Sequence, residues 1–517
     1  GWVGHHGKPL RSVGMDARFL HRRTAVSRVL LAWELGANMG HLDRMLLTAR
    51  ELRRRGHEVT FALKDLSRAH GRVVSEGFSV VQSPIWLPRM AKSPGLVNFS
   101  AVLASAGWLD PAGLAGLLSG WRTLFDLCSP DLLVCDHAPT AMLAARACRF
   151  PVAAVGNGFE VPAFGDVFPA LHYWDAADTA VCAASDATVL RAVNAALAAL
   201  GQPGLPRLTA LFADILCIVA SLPELAHYPV YPDSVVRVGP SFVDDAGAQP
   251  QWPKDEGKDD REGIPVFAYL SPEHADFAPL MAALRQPGLR SVVHAKGLSA
   301  ATARELGAPN IRFEAAPVRM DLATAQARIV LSHASVGTVS AAALAGCVQL
   351  VLPNHMEQYM VGRRVVEAGI GLMVEPGSRG TDYPALLRRL IDDTAFSEAA
   401  LALAGRHAGV RPDHTGVQVV DALAQRLALG TSCPAADPLP RPASKAHDAP
   451  SRRPSAAPPA AQAAAARRPA GAGARSGVRP GRARRTPHAA AGSWIASAPP
   501  HRVVVHHRLA GARWCCA

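Results

Sequence analysis

Residues 329–376 constrain the fold of this chain more than any other stretch, because they contain a strand, a turn, a helix and a second strand in quick succession. The apolar run 329–331 leads into a turn of small residues. A helix-compatible run over 338–345 follows, which Gly346 can end, and then a second apolar run over 348–352. This order is typical of a parallel α/β sheet. Since such a turn presents backbone amides and the positive end of a helix, it predicts an anion site at the carboxyl edge of the sheet.

The polar residues of this segment have a recognisable spacing. They are His333-Ala334-Ser335, Gly337-Thr338, Gly346-Cys347-Val348 and then Pro353, Glu357 and Gln358. Taken alone, they also fit an ordinary strand–helix–strand unit with a buried histidine. As a set, they resemble the donor-site signature of GT-B glycosyltransferases, the superfamily of UDP-glycosyltransferases and macrolide glycosyltransferases.

The resemblance implies a role for each matching position. His333 and the amides at Gly337 and Thr338 are expected to hold the pyrophosphate of a nucleotide sugar beside Ser335, while Glu357 and Gln358 are expected to hold sugar hydroxyls. By the same resemblance Ser271, at the end of an earlier strand, is the candidate for a further phosphate contact.

The segment also departs from the family pattern at several positions. Ala334 and Ser335 replace glycines, which narrows the room for close phosphate approach. Glu357 replaces an aspartate, and Pro272 is atypical beside Ser271. Ala341 stands where plant-type members have a ribose-binding glutamate, so the nucleotide base is not specified.

A second motif lies near the start of the chain. The strand 28–34 leads into a turn containing Gly36 and Gly40, an amphipathic helix over 42–55 and a strand over 58–63. The glycine spacing is not GxGxxG, so the pattern does not favour a dinucleotide site. Gly40-His41 and the run 55–61, RGHEVTF, resemble the same superfamily, which implies that His41 is the general base for the acceptor hydroxyl. The alternative is a histidine that caps the helix or bonds to a loop.

A base histidine needs a partner that fixes its tautomer. The apolar strand 130–136 ends at Asp136, where family members that use a histidine base often carry the orienting aspartate. Asp136 is therefore the predicted partner of His41, with helix capping as its alternative. Aromatic residues between these motifs predict either an acceptor pocket for an apolar or ring-bearing molecule or plain core packing. They are Trp86, Trp108, Trp121, Phe164, Phe168, Tyr173 and Trp174.

The formal net charge of +12 does not indicate nucleic-acid binding, because it belongs to one end of the chain. From Thr431 onward there are 14 Lys and Arg and 2 Asp and Glu, which leaves 40 of each sign in residues 1–430. This Ala/Pro/Arg-rich tail is expected to be disordered; peripheral contact with anionic lipid or RNA through charge alone, and an extension without any role, are the alternatives for it. No uninterrupted apolar run reaches about 18 residues, so no transmembrane helix is expected. Without an apolar signal segment and without CxxC spacing, the pattern favours a cytoplasmic protein with free thiols.

The predicted fold is therefore α/β of the GT-B type, with two Rossmann-like domains facing across a cleft. The predicted parts are a flexible leader over 1–25, an acceptor-side domain over 26–245, a nucleotide-sugar domain over 246–430 and the tail 431–517. The expected activity is sugar transfer from a nucleoside diphosphate sugar to a hydroxyl of a small acceptor. No cofactor and no metal are expected, since there is no Asp-x-Asp motif. A catalytically weak nucleotide-sugar-binding protein and a nucleotide-sugar epimerase are the alternatives.

Overall fold

The structure is a computed structural model that describes residues 26–429 apart from 37–38, 89–94, 176–177, 243–246 and 254–262. The predictions for the leader 1–25 and for the tail from 431 lie outside the described residues. Most of the charged linker expected over 241–263 lies outside them as well.

The first half of the described chain forms a seven-stranded sheet in the order β3-β2-β1-β4-β5-β6-β7, with every neighbouring pair parallel. Its strands are β1 (Arg28–Trp33), β2 (Glu58–Leu63), β3 (Ser79–Gln82), β4 (Leu132–Asp136), β5 (Val152–Gly156), β6 (Leu216–Ala220) and β7 (Val236–Val238). Its helices are α1 (Gly40–Arg54), α2 (Phe99–Leu103), α3 (Pro111–Cys128), α4 (Pro139–Ala145), α5 (Thr179–Ala199) and α6 (Ala210–Ala213). The order places β1 and β4 side by side, so the loops that follow them meet at one edge.

The second half forms a six-stranded parallel sheet in the order β10-β9-β8-β11-β12-β13. Its strands are β8 (Ile264–Tyr269), β9 (Leu289–His294), β10 (Ile311–Glu314), β11 (Ile329–Ser332), β12 (Val348–Val351) and β13 (Gly371–Met373). Its helices are α7 (Phe277–Leu284), α8 (Ala300–Leu306), α9 (Met320–Gln326), α10 (Val336–Leu344), α11 (Met356–Glu367), α12 (Tyr383–Asp392), α13 (Thr394–Arg406) and α14 (Thr415–Leu429). We call the parts built on the two sheets the N-terminal and C-terminal lobes.

Apolar side chains cover both faces of each sheet, as expected for parallel strands buried on two sides. Helix α1 shows how the sequence produces this packing. Its residues Leu42, Met45, Ala49 and Leu52 recur at helical spacing and are buried against the N-terminal sheet. The helix stops at Gly56, whose φ of +87° is readily accessible only to glycine.

The last helix returns to the N-terminal lobe, as the sequence indicates. Val419, Val420 and Leu423 of α14 are buried in the apolar cluster that also contains Leu42 of α1. The hydroxyl of Thr415 donates to the carbonyl of Pro240 over 2.8 Å. The sequence of residues 396–428 predicts a single helix, but the structure divides this stretch into α13 and α14. The break contains the 3-10 turn Pro412–His414, where proline removes a backbone donor.

One helix bears on the expectation that no segment crosses a membrane. Within the described residues, α5 is long enough for a span and has a mean hydropathy of 1.2 over its most apolar window. It also carries Asp186, which is buried and accepts hydrogen bonds from the Asn98 side chain and the Phe168 amide. These contacts tie α5 into the core of the N-terminal lobe.

Candidate functional site

The N-terminal part of the site forms where β1 and β4 end. Trp33 and Asp136 are paired across these strands, and His41 lies in the first turn of α1, just beyond β1. His41 Nδ1 lies 2.8 Å from Asp136 Oδ1, and both side chains are buried. Because a carboxylate accepts, Nδ1 carries the proton and Nε2 is left as the basic nitrogen. The structure thus brings together the two residues that the sequence assigns to catalysis.

Two further charged residues join this pair. Arg44, one turn after His41, binds Asp136 through Nε to Oδ2 and Nη2 to Oδ1, both at 2.8 Å. Its Nη2 also donates to Glu160 Oε1 over 3.3 Å. Glu160 Oε1 in turn lies 3.5 Å from His41 Nδ1. His41, Arg44, Asp136 and Glu160 are all buried, and we call these four residues the base network.

The charges of the base network shift the pKa of its members. Burial opposes the charged form of His41, but Asp136 and Glu160 outweigh burial and raise the pKa of His41 above its ordinary value. Burial likewise disfavours ionised Glu160, but the Arg44 charge holds the pKa of Glu160 well below its usual range. Burial lowers the pKa of the neighbouring His137 to about 4, so that imidazole is neutral. The geometry therefore favours a strongly basic His41.

Gly36, which follows β1, lies against the basic nitrogen of His41. A Cβ placed on Gly36 would lie 2.4 Å from His41 Nε2, and Gly36 has a φ of +80°. Only glycine satisfies both conditions without strain. The Gly36 carbonyl accepts a hydrogen bond from Lys64 Nζ over 2.6 Å, which ties Gly36 to the loop after β2. Gly40, by contrast, begins α1, and a Cβ there would meet nothing within 4 Å.

The C-terminal part of the site is organised by His333, which follows β11. Its Nδ1 lies 2.7 Å from the Leu352 carbonyl, and the Ser271 amide donates to its Nε2 over 2.8 Å. The ring therefore links the loops after the neighbouring strands β8 and β12. Burial lowers the pKa of His333, in agreement with a neutral ring protonated at Nδ1. A hydrogen bond from His333 to a phosphate would have to replace one of these backbone contacts, and its phosphate role stays a prediction.

Backbone geometry shapes the turn after His333. Ala334 has a φ of +60°, the left-handed conformation in which glycine is common, and is completely buried. Helix α10 begins at Val336, two residues earlier than the pattern predicts, with Ser335 as the residue before it. Gly337 and Thr338 therefore lie in the first turn, where amides have no acceptor within the helix. The Ser335 hydroxyl donates to Thr338 Oγ1 over 2.9 Å.

Glu357 lies in the first turn of α11 and reaches across to the N-terminal lobe. Asn157 Nδ2, in the loop after β5, donates to Glu357 Oε1 over 3.2 Å. Burial and the charge of Glu160 raise the pKa of Glu357 to about 7. The neighbouring Gln358 bonds within its own loop, since its Oε1 accepts from the Asn354 amide over 2.9 Å. Of the predicted sugar-binding pair, Glu357 is thus the one in contact with the N-terminal lobe.

Among the described residues, one group has the ligand types and spacing for a metal ion. His41, Asp136 and Glu160 each offer a ligand atom, and these atoms lie within 4.8 Å of one another. Arg44, however, already binds both carboxylates. A cation at this position would have to displace the buried guanidinium or lie beside it. The donor set therefore fits the guanidinium better than a metal ion.

Sequence reasoning missed Arg44 and Glu160. For Arg44 a signal was present, because an arginine three residues after His41 falls on the face of α1 that carries Leu42 and Met45 to the sheet. Glu160 belongs to no motif, and it follows the irregular Gly-Asn-Gly-Phe loop after β5. Only the fold reveals that this loop lies beside Asp136.

Five of the seven aromatic residues proposed for an acceptor pocket fall into two groups. Trp108, Trp121 and Phe168 are completely buried in the core of the N-terminal lobe, as the packing alternative expects. Tyr173 and Trp174 instead contact α11 of the C-terminal lobe. The Tyr173 hydroxyl is 3.1 Å from Glu367 Oε2, and the Trp174 ring is 5.2 Å from that of Tyr359. These two residues lie where the lobes meet.

Comparison with known proteins supports the resemblance. Residues 291–423 match the family described as the C-terminal domain of erythromycin biosynthesis protein CIII-like proteins. An uncharacterized glycosyltransferase of Methanosarcina mazei is 27% identical over 136 residues, which are 26% of this chain and 34% of that protein. The chain thus matches about a third of the length of this curated relative.

Solved structures extend the similarity to both lobes. The calicheamicin glycosyltransferase CalG4 has a TM-score of 0.59 at 19% identity, covering 79% of this chain and 100% of that one. The spinosyn rhamnosyltransferase SpnG has a TM-score of 0.53 at 18% identity, covering 76% and 100%. These similarities confirm the predicted GT-B fold, and the predicted resemblance to glycosyltransferases agrees with the proteins that this chain is similar to.

Proposed function

We propose that this protein is a glycosyltransferase that moves a sugar from a nucleoside diphosphate sugar to a hydroxyl of a small, apolar or ring-bearing acceptor. The contact between His41 Nδ1 and Asp136 Oδ1 carries the proposal, because it leaves Nε2, which faces Gly36, as the basic nitrogen. Glu357 of the C-terminal lobe bonds to Asn157, in the loop that also leads to Glu160 of the base network. A sugar bound at Glu357 would therefore lie close to the base.

In this mechanism His41 Nε2 takes the proton of the acceptor hydroxyl as its oxygen attacks the anomeric carbon. The bond from that carbon to the diphosphate oxygen breaks, and the diphosphate leaves with the electron pair. Asp136 holds the imidazole in the required tautomer and stabilises the imidazolium that forms. The first-turn amides of α10 would stabilise the charge on the leaving group without a metal ion.

The departures from the family pattern are compatible with a working donor site. Ala334 keeps the left-handed backbone that a glycine would adopt, so the turn retains its shape at a cost in strain. A solved complex of the spinosyn rhamnosyltransferase contains thymidine diphosphate, and another contains the spinosyn aglycone. We therefore choose thymidine diphosphate sugars as the first donors to test, with an apolar, ring-bearing aglycone as the acceptor.

One structural observation favours a second candidate function, a nucleotide-sugar epimerase. The sequence alone offered no set of carboxylates in the cleft, but the fold brings Asp136 and Glu160 to His41 and Glu357 to the same region. Acids and bases around a bound sugar could support elimination and re-addition of the diphosphate. The product separates this candidate from transfer.

The test incubates the full chain with dTDP-, UDP- and GDP-sugars, with and without a macrolide or aromatic polyketide aglycone. Diphosphate release and the identity of the sugar are followed by mass spectrometry. We expect a glycosylated aglycone, with turnover reduced about 10³-fold in His41→Ala while donor affinity stays within about twofold of wild type. The exposed His70 provides the matched control, since His70→Ala should leave turnover unchanged. Wild-type turnover in His41→Ala would contradict the base assignment, and an epimerised donor would favour the second candidate.

A further inference from the structure

Glu160 is a fixed component of the base network. Its Oε2 accepts a hydrogen bond from the Asn157 amide over 2.8 Å, while Oε1 faces Arg44 and His41. The chain approaches it closely at Gly156, where a Cβ would lie 2.7 Å from the Cβ of Glu160. A buried carboxylate is costly unless it is paired, and both of its oxygens have partners here. Its place beside His41 is therefore set by the surrounding backbone.

The charge balance suggests why a second carboxylate is present. Arg44 binds both oxygens of Asp136, so one positive charge offsets that carboxylate before His41 is protonated. A lone Asp136 clamped in this way would offer His41 little net negative charge. Glu160 adds a second negative charge. Arg44, Asp136 and Glu160 therefore carry a net charge of −1 together when His41 is neutral. Protonation of His41 then makes the buried network neutral.

We propose that Glu160 and Arg44 are positioning residues for His41. Glu160 supplies the negative charge that compensates the imidazolium, and Arg44 holds the two carboxylates at fixed distances from the ring. The proposal deepens the proposed function and rests on His41 acting as its base. Neither residue is required to touch the substrate, so both act through His41.

The charged and titratable groups facing His41 come from four parts of the chain. They are Arg44 on its own helix, Asp136 and His137 after β4, Glu160 after β5 and Glu357 on α11. His137 is neutral at physiological pH, and its ring centre lies 5.8 Å from that of His41. Among the three charged residues of the base network, Glu160 is the one whose charge can be removed while both the Asp136 contact and the Arg44 clamp on Asp136 are kept.

The test replaces Glu160 with glutamine, which keeps an oxygen for the Asn157 amide, removes the charge and replaces Oε1, the acceptor for Arg44, with an amide group. Histidine-labelled full-length protein is titrated by NMR, and the His41 signal is assigned from its absence in His41→Ala. We expect the pKa of His41 to fall by about one unit in Glu160→Gln, because a charge within about 4 Å shifts a pKa by that much or more. The acidic limb of kcat/KM against pH, where activity rises as His41 loses its proton, should move to lower pH by the same amount, with donor affinity unchanged.

Two further variants keep the test decisive. Arg44→Lys keeps the charge but loses the two-pronged contact, so turnover should fall about tenfold while the donor still binds. Glu51→Gln removes a buried, ion-paired carboxylate from the same helix, where it contacts Arg54 and Arg55, and should leave the His41 titration unchanged.

An unchanged His41 pKa in Glu160→Gln would overturn the proposal. So would a shifted pKa with an unchanged pH profile of kcat/KM. A wild-type protein without transferase activity would contradict the proposed function instead, since the titration is measured without substrate.

Discussion

The two lobes build their parts of the candidate site in different ways. In the N-terminal lobe, side chains hold one another, as His41, Arg44, Asp136 and Glu160 do in the base network. In the C-terminal lobe the central side chain holds backbone, since His333 contacts the Leu352 carbonyl and the Ser271 amide. A base needs charges beside it that tune its pKa, whereas a diphosphate site needs amides at fixed positions. We therefore expect substitutions in the first region to change kcat and those in the second to change donor binding.

The largest effect that would test this difference is expected for Gly36→Ala. The new Cβ would lie 2.4 Å from His41 Nε2, so the ring must move or its basic nitrogen is blocked. We expect kcat to fall at least about 100-fold, with donor affinity unchanged, because a displacement of about 1 Å at a reacting group has that cost. Steady-state kinetics and donor calorimetry measure the two quantities.

A matched control for Gly36→Ala lies at the end of α1. Gly56 has a similar φ, +87°, but a Cβ there would meet nothing within 4 Å. Gly56→Ala therefore imposes the same backbone strain, about 1–2 kcal/mol, without touching the base. Equal losses of kcat in the two variants would mean that strain, and not access to Nε2, explains the effect.

The difference between the lobes also explains how much the sequence reveals. The strand β2 occurs at its predicted bounds, and β1, β4, β11 and β12 lie within two residues of theirs, because buried parallel strands are short apolar runs. The short strands β3 and β13 were not predicted. β3 is only partly buried, with Ser79 and Gln82 exposed at its ends, and β13 has three residues, so neither gives a strong apolar signal.

Site residues were predictable where the chain keeps them in one motif. The segment from His333 to Gln358 is continuous in sequence, and a spacing pattern reveals it. The base network instead joins residues 95 and 116 positions apart, such as His41 with Asp136 and Arg44 with Glu160. His41 and Asp136 were reached through strand ends and a family resemblance, while Glu160 required the folded loop. Charges assembled from separate loops leave little trace in a linear pattern.

A smaller effect, on donor binding, is expected for Glu357→Gln. The pKa of Glu357 is raised to about 7, so its carboxylate is ionised above that pH and accepts hydroxyl hydrogen bonds best there. Donor affinity of the wild type should therefore increase as the pH rises from 6 to 8. The variant should bind about tenfold more weakly at pH 8 and lose this pH dependence, since a hydrogen bond to a charged group contributes about 1.5–3 kcal/mol. Calorimetry with the preferred donor at each pH measures both.

The control for Glu357→Gln is Glu367 on the same helix, which bonds to Tyr173 and Arg364. Glu367→Gln should leave the pH dependence of donor binding as it is in the wild type. A Glu357→Gln variant with wild-type donor affinity and a lower kcat would mean that Glu357 acts together with the base network and does not bind the donor.

The smallest effect concerns the backbone of the donor turn. Ala334→Gly removes a buried methyl, worth about 0.8 kcal/mol, but relieves a left-handed alanine that costs about 1–2 kcal/mol. Ala343 is buried in the same apolar cluster within α10 and has no such strain. Ala343→Gly should destabilise the fold by about 2 kcal/mol, from the lost methyl and the poor helix propensity of glycine. Calorimetric unfolding of the full chain should therefore show Ala334→Gly close to wild type and Ala343→Gly melting at a lower temperature.

Equal melting temperatures for the two variants would mean that the turn stores no strain at Ala334. In that case the alanine is accommodated like any other core residue, and the departure from the family glycine has no energetic cost that the donor site must bear.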